Sequence, residues 1–242
     1  MKKFLVLALF VALMVVGACS SDDDNTSVPQ IDLETGLVGK FELNGNGNDS
    51  SPFDNDGTVI GVVTPAPNRA GTINSSMNFQ EFMGFIEVGD VPALKLTSQI
   101  TIAVWVRASG DPVNWDAIVN KWESTGNIDG VGTGYYLGIN PDGLTLRWNV
   151  SSEIVEMTTP FQREQWEHIA VTFDGASLKL YINGELETEA VAEGTLLDNN
   201  QPFRIGTQSE DTVEGGFTGR IDDLYVYNRA LSAEAVSLLY NL

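Results

Sequence analysis

One cysteine and one histidine occur in 242 residues. With Cys19 alone, no intrachain disulfide can form, so burial and hydrogen bonding must hold the fold. With His168 alone, there is no multi-histidine zinc site and no second imidazole. Positive charge is scarce as well: 13 Lys and Arg stand against 33 Asp and Glu, a formal charge of −20. Such a field repels phosphate backbones and anionic head groups, which argues against nucleic acid as a partner. It favours bound cations and uncharged ligands such as neutral sugars. No Gly-x-Ser-x-Gly elbow, phosphate-cradling glycine loop or long internal repeat is present.

Long apolar runs are missing too, except near the start. Lys2 and Lys3 precede Phe4–Val16, a run of about 13 residues that is too short for a ~30 Å hydrocarbon core. Residues 1–18 therefore read as a secretion signal. Its end, Val16-Gly17-Ala18-Cys19, resembles a bacterial lipobox, which implies lipid attachment at the Cys19 thiol. Residues 19–35, with Asp22-Asp23-Asp24, have no hydrophobic periodicity and are expected to be a disordered acidic tether. The acidic triplet resembles the tract that sends some lipoproteins to the outer face of the outer membrane. That implies a cell-envelope protein, lipid-anchored to the outer membrane and exposed at the surface.

From Gly36 onward, short alternating runs are broken by Gly, Asn, Asp and Pro, the pattern of an all-β sandwich in one domain, residues 36–242. In Ile169–Phe173 the odd positions are large and apolar while Ala170 and Thr172 are small, so one face packs deeply and the other lightly. Leu178–Ile182 alternates in the same way and runs into Asn183-Gly184. That pair accepts positive φ at both central positions, so the sequence predicts a type I′ hairpin returning along Glu185–Ala190. The one predicted helix is C-terminal, capped by Ser232 with Glu234 in its first turn. Leu231 would staple to Val236, and Val236, Leu239 and Tyr240 form its apolar stripe.

Four stretches in this order resemble the laminin-G-like branch of the concanavalin A-like lectin/glucanase superfamily: Gly39–Ser51, Ile100–Val106, Gln165–Gly184 and Phe217–Ser232. The resemblance implies an antiparallel two-sheet jelly roll with the first and last strands side by side. It also implies a structural calcium ion joining the N-terminal loop to the last strand, with Asp49 and Asp222 as the matching carboxylates. Calcium takes six to eight oxygens, so carbonyls or water would have to complete the shell. Pro52-Phe53-Asp54 departs from the family's usual Gly-Asn-Gly. The alternative is that Asp49 organises a turn and Asp222 is a solvated acid at a strand end.

His168 falls inside a strand beside Trp166, where packing is the expected role. A related glucanase would need carboxylates on one strand face, whereas Glu153 and Glu156 are three apart and face opposite ways. No catalytic residue is expected. Sugar binding would use aromatic rings, and Trp115, Trp122 and Tyr135 flank a loop over residues 115–134 rich in Gly, Asn and Asp. The sequence thus predicts a non-catalytic surface lipoprotein that binds a polysaccharide or glycoprotein through sandwich loops and touches the membrane only through its lipid. A structural or protein-docking module is the alternative, followed by a polysaccharide-cleaving enzyme.

Overall fold

A computed structural model describes residues 31–80, 83–112, 115–124, 132–208 and 215–242. The predicted leader, Cys19 and the tether up to residue 30 lie outside the described residues. The strands are β1 (Leu37–Phe41), β2 (Thr58–Gly61), β3 (Thr64–Ala66), β4 (Ser76–Phe79), β5 (Gly84–Val88), β6 (Ile100–Ala108), β7 (Asp116–Ser124) and β8 (Gly132–Asn140). They continue with β9 (Gly143–Val150), β10 (Glu153–Thr159), β11 (Glu167–Phe173), β12 (Ser177–Ile182), β13 (Glu185–Val191), β14 (Phe203–Ile205) and β15 (Gly219–Tyr227), before helix α1 (Ala233–Tyr240).

Two antiparallel sheets form the sandwich. One runs β13-β12-β11-β6-β15-β4-β3, with β1 also on β15; the other runs β10-β9-β8-β7-β14-β5-β2. Alternation sets the core. Ile102, Val104 and Val106 of β6 and Ile169, Val171 and Phe173 of β11 face Leu137, Leu146 and Trp148 of the opposite sheet, all without solvent contact. The expected seam between first and last strands is present, with Phe41 opposite Leu224. So is the hairpin, where Asn183 and Gly184 take φ of 52° and 81°.

The outer faces differ. On the β6–β11 sheet the outward residues include Ala103 and Ala170, whose small side chains let α1 approach. Leu231, Val236 and Leu239 close over them with Tyr181 and Tyr227. Ser232 caps the helix, its hydroxyl accepting the Ala235 N–H at 3.3 Å. Among the described residues no helix covers the other sheet, and that face carries the candidate site.

Two sequence expectations shift. Residues 31–35, expected to belong to the tether, are held by specific bonds: Asp32 Oδ1 accepts the N–H groups of Glu34 and Thr35, and Arg229 donates to the Thr35 and Asp32 carbonyls. An arginine about two hundred residues away supplies the order that local composition lacks. Strands β2 and β3 had no counterpart in the sequence reading, because β2 is an edge strand exposed along most of its length, without apolar alternation.

Candidate functional site

The outward face of the seven-stranded sheet can be read from register. Glu87 pairs with Arg204, Arg204 with Asn120, Asn120 with Tyr136, Tyr136 with Arg147, and Arg147 with Glu156. Directly opposite residues share a face, so a polar and aromatic row crosses six adjacent strands. Arg204 is tied to Glu87 at 2.9 Å, and Asn120 donates its amide to the Gln208 carbonyl at 2.6 Å.

A cleft of about 110 Å³ opens over the middle of this row, lined by Trp115, Trp122, Tyr136, Arg147 and Gln208. It is far smaller than the roughly 300–1,000 Å³ of enclosed ligand pockets, and suits one ring of a ligand that continues into solvent. Glycines on β8 make the room. Outward positions along this strand are Gly132, Gly134, Tyr136, Gly138 and Asn140, so three of the five lack a side chain. The Trp122 indole lies across Gly132, where an added Cβ would sit 2.4 Å from its Cε2. The Tyr136 phenol lies over Gly138, whose Cβ would fall 2.1 Å from the hydroxyl.

The Arg147 guanidinium sits between two indoles, 5.6 Å from the Trp115 ring and 5.5 Å from the Trp122 ring. Trp115 meets Tyr136 edge-on at 5.7 Å. Among the described residues the Tyr136 hydroxyl is buried without a hydrogen-bond partner, as is Arg147 Nε, which lies 3.5 Å from a Glu156 carboxylate oxygen. Burial, then the nearby Asp116 and Glu156, pushes the Tyr136 phenol well above its ordinary pKa, so it stays an O–H donor.

The sequence placed Trp115, Trp122 and Tyr135 around a loop. The structure brings Trp115 and Trp122 together but assigns Tyr135 to the core between the sheets, where it packs against Trp148 at 5.6 Å. Side chains alternate along β8, so the neighbouring Tyr136 faces the cleft instead. Trp122 and Tyr135 also belong to strands rather than a loop, because β7 and β8 pair as far as Ser124 and Gly132. Arg147, Tyr136 and Gln208 were missed. The legible signal was the run of glycines at every second position around Tyr136.

Asp49 and Asp222 occupy different chemistry from a shared ion. Asp49 Oδ1 accepts the N–H groups of Lys40 and Ser51, and Oδ2 accepts the Ser51 hydroxyl and the Asn55 N–H, all within 2.9 Å. Four bonds use up the acceptor capacity of a carboxylate. Asp222 lies buried on β15, where Arg69 contacts it at 3.1 Å and Asp223 at 2.8 Å. A calcium ion would have to displace a guanidinium at one residue and backbone donors at the other. These two donor sets do not fit it. Among the described residues, no group of three or more His, Cys, Asp and Glu side chains could hold a metal.

A built-in cation lies elsewhere. The Lys121 ammonium, almost fully buried, has five oxygens around it: Asp90 Oδ1 at 3.1 Å, Asp198 Oδ1 at 3.7 Å, the Asn199 carbonyl and amide oxygens at 3.0 and 3.3 Å, and the Gln201 carbonyl at 2.8 Å. It clamps the loops around residues 90 and 198–201 to β7, one residue before Trp122.

His168 packs against Trp105 at 5.3 Å and Tyr240 at 6.0 Å, under α1. Burial, helped by Arg69, holds its imidazole down near pKa 3, so it is a neutral packed ring at physiological pH. Glu153 and Glu156 keep opposite parities in the β9–β10 pairing, so they form no catalytic pair.

Comparison with known proteins agrees with this architecture. The laminin G family model described as the concanavalin A-like lectin/glucanases superfamily matches residues 83–237. A curated relative, BEACH domain-containing protein B of Arabidopsis thaliana, is 27 % identical over 132 residues, which is 46 % of this chain and 5 % of that much longer protein. Among solved structures, the binding domain of Paraclostridial Mosquitocidal Protein 1 superposes with a TM-score of 0.70 at 19 % identity, covering 87 % of this chain and 53 % of that one. Domain 4 of AbnA, a GH43 extracellular arabinanase from Geobacillus stearothermophilus in complex with arabinotriose, gives 0.66 at 20 %, covering 84 % and 98 %. Botulinum neurotoxin type C, whose cell entry depends on two ganglioside molecules, gives 0.67 at 15 %, covering 85 % and 51 %. Identities this low carry the fold alone. The family match spans well over half the chain, and the chain belongs to the concanavalin A-like lectin/glucanases superfamily.

Proposed function

We propose that this domain is a non-catalytic glycan-binding module whose ligand rests in the Trp115–Trp122–Tyr136–Arg147 cleft. The observation that carries the reading is the cleft itself: two indoles and a phenol on an outer sheet face, with two buried donors that lack partners among the described residues. Aromatic faces suit the C–H faces of pyranose rings, and fixed donors suit ring oxygens. The relatives support the same class, since one is an arabinanase domain bound to arabinotriose and another belongs to a toxin that uses gangliosides. The reading needs no calcium. With the lipobox-like Cys19, the module would be displayed from the outer membrane on the tether, meeting polysaccharides or glycoproteins outside the cell.

Calorimetric titration of residues 31–242 with a panel of oligosaccharides tests this. Binding in the micromolar to millimolar range, lost on Trp122→Ala, is the expected outcome. A blank panel together with one stoichiometric protein partner would replace it with a docking module. Release of reducing ends would restore an enzyme.

A further inference from the structure

The chain is strongly acidic, yet a guanidinium lies in the cleft on its outer sheet face. We propose that the sugar seated there carries a carboxylate, as uronic and sialic acids do, and that Arg147 and Tyr136 are the groups that bind it. This rests on the glycan-binding reading above and names its ligand class.

The argument starts from what Arg147 lacks. Its acidic neighbour across the β9–β10 pairing is Glu156, but the Nε to Oε2 distance is 3.5 Å, well beyond the roughly 2.7–2.9 Å of a charge-assisted hydrogen bond. Nε is buried and makes no hydrogen bond among the described residues. Two indoles flank the guanidinium, so the side chain is already ordered and little rotamer freedom remains to be lost on binding. Tyr136 stands directly opposite on β8, 2 % exposed, with its hydroxyl equally without a partner among the described residues. Both side chains line the same cleft, so a ligand group seated there lies against both residues.

What these atoms share is polarity of one kind. The guanidinium has only donors, and the phenol stays protonated because of burial and the nearby acids. A carboxylate is the complementary acceptor-only group, with oxygens enough for both. A ring hydroxyl would fill one donor and bring a proton of its own to place. Polyanions with closely spaced phosphates are opposed by the overall field, whereas one carboxylate per sugar ring is less so, and at physiological salt the repulsion decays over about 8 Å.

The test compares an oligogalacturonate, the same oligomer fully methyl-esterified, sialyllactose, and neutral xylo- and arabino-oligosaccharides, in about 0.15 M salt. The methyl ester keeps ring and linkage and removes only the charge. The expected result is that one acid ligand binds at least tenfold more tightly than the ester and the neutral sugars. Which acid it is separates a uronate polysaccharide from a sialylated glycoprotein as the source. Arg147→Gln should weaken the acid ligand on the order of a hundredfold, with Arg147→Lys restoring part of it. Tyr136→Phe removes a hydroxyl that makes no hydrogen bond among the described residues, so it should fold normally and weaken the acid ligand about tenfold. Neutral sugars or the ester binding as well as the acids, or acid binding untouched by Tyr136→Phe and Arg147→Gln, would overturn the inference and leave the glycan reading standing. No binding to any sugar would remove both.

Discussion

Lys121 makes the most quantitative prediction. Replacing it with alanine leaves five oxygens facing a hole where an ammonium stood. Breaking a buried ion pair from one side costs about 3–5 kcal/mol, because the remaining charges are left uncompensated. Here the lower end applies, since Lys95 still reaches Asp90 at 2.7 Å and Asp198 at 3.6 Å. For a domain of this size about 3 kcal/mol corresponds to roughly 6–12 °C in Tm. Urea unfolding at pH 7, followed by circular dichroism, measures it, and Lys121→Met separates the charge from the packing of the stem. The pH dependence has a definite sign. Burial raises the Asp90 pKa, but hydrogen bonds and charge from Lys95 and Lys121 outweigh it, and the net shift is downward from 3.8. A carboxylate lowered in the folded state contributes stability above its unfolded pKa and loses it as pH falls further. The gap between wild type and Lys121→Ala should therefore narrow below about pH 4. A loss under 1 kcal/mol at pH 7, or a gap that widens in acid, would refute the clamp.

Three further outcomes are expected. His168 is held near pKa 3 against 6.5, so protons favour the unfolded chain below pH 6.5, and this group alone removes about 2 kcal/mol between pH 8 and pH 5. Asp222 acts oppositely: burial and Asp223 raise it to about 7 despite Arg69, so its contribution falls as pH rises toward 7. His168→Phe should abolish the first effect and leave stability rising as pH drops from 8 to 5, whereas unchanged pH slopes in urea unfolding would contradict it. Asp49→Ala removes four hydrogen bonds and should cost about 2–4 kcal/mol, while millimolar calcium moves the wild-type Tm by under 1 °C. A calcium-induced rise of several degrees would reinstate an ion at this loop. Gly138→Ala places a Cβ 2.1 Å from the Tyr136 hydroxyl and 2.5 Å from the Asp116 carbonyl. It should cost about 1–3 kcal/mol and disrupt the cleft, and full retention of ligand affinity would argue against Tyr136 as its base.

Much of the fold was legible because its causes are local. Asn183-Gly184 dictates its turn through φ alone, and the apolar alternation of β6, β11 and β12 states which face is inside. The small residues Ala103 and Ala170 even mark where a helix can lie. The cleft was half legible. Trp115 and Trp122 were found as aromatics near glycine-rich sequence, but a one-residue choice between Tyr135 and Tyr136 depends on strand parity. Leu137 and Ile139 settle that parity, and they place Tyr135 with the core. The Lys121 cage could not be read at all, since its oxygens come from positions 31 to 80 residues away. Asp49 and Asp222 matched a family position in sequence, yet their immediate partners are a turn and an arginine.

The central claim is that the ligand sits on the Trp115 and Trp122 rings. The chain has five tryptophans, so a ¹H–¹⁵N spectrum offers five indole signals to watch while a bound oligosaccharide is titrated. The account predicts that the Trp115 and Trp122 signals move together with saturation, while those of Trp105 under α1 and Trp148 in the core stay still. Movement centred on Trp105, with Trp115 and Trp122 unchanged at saturation, would contradict it.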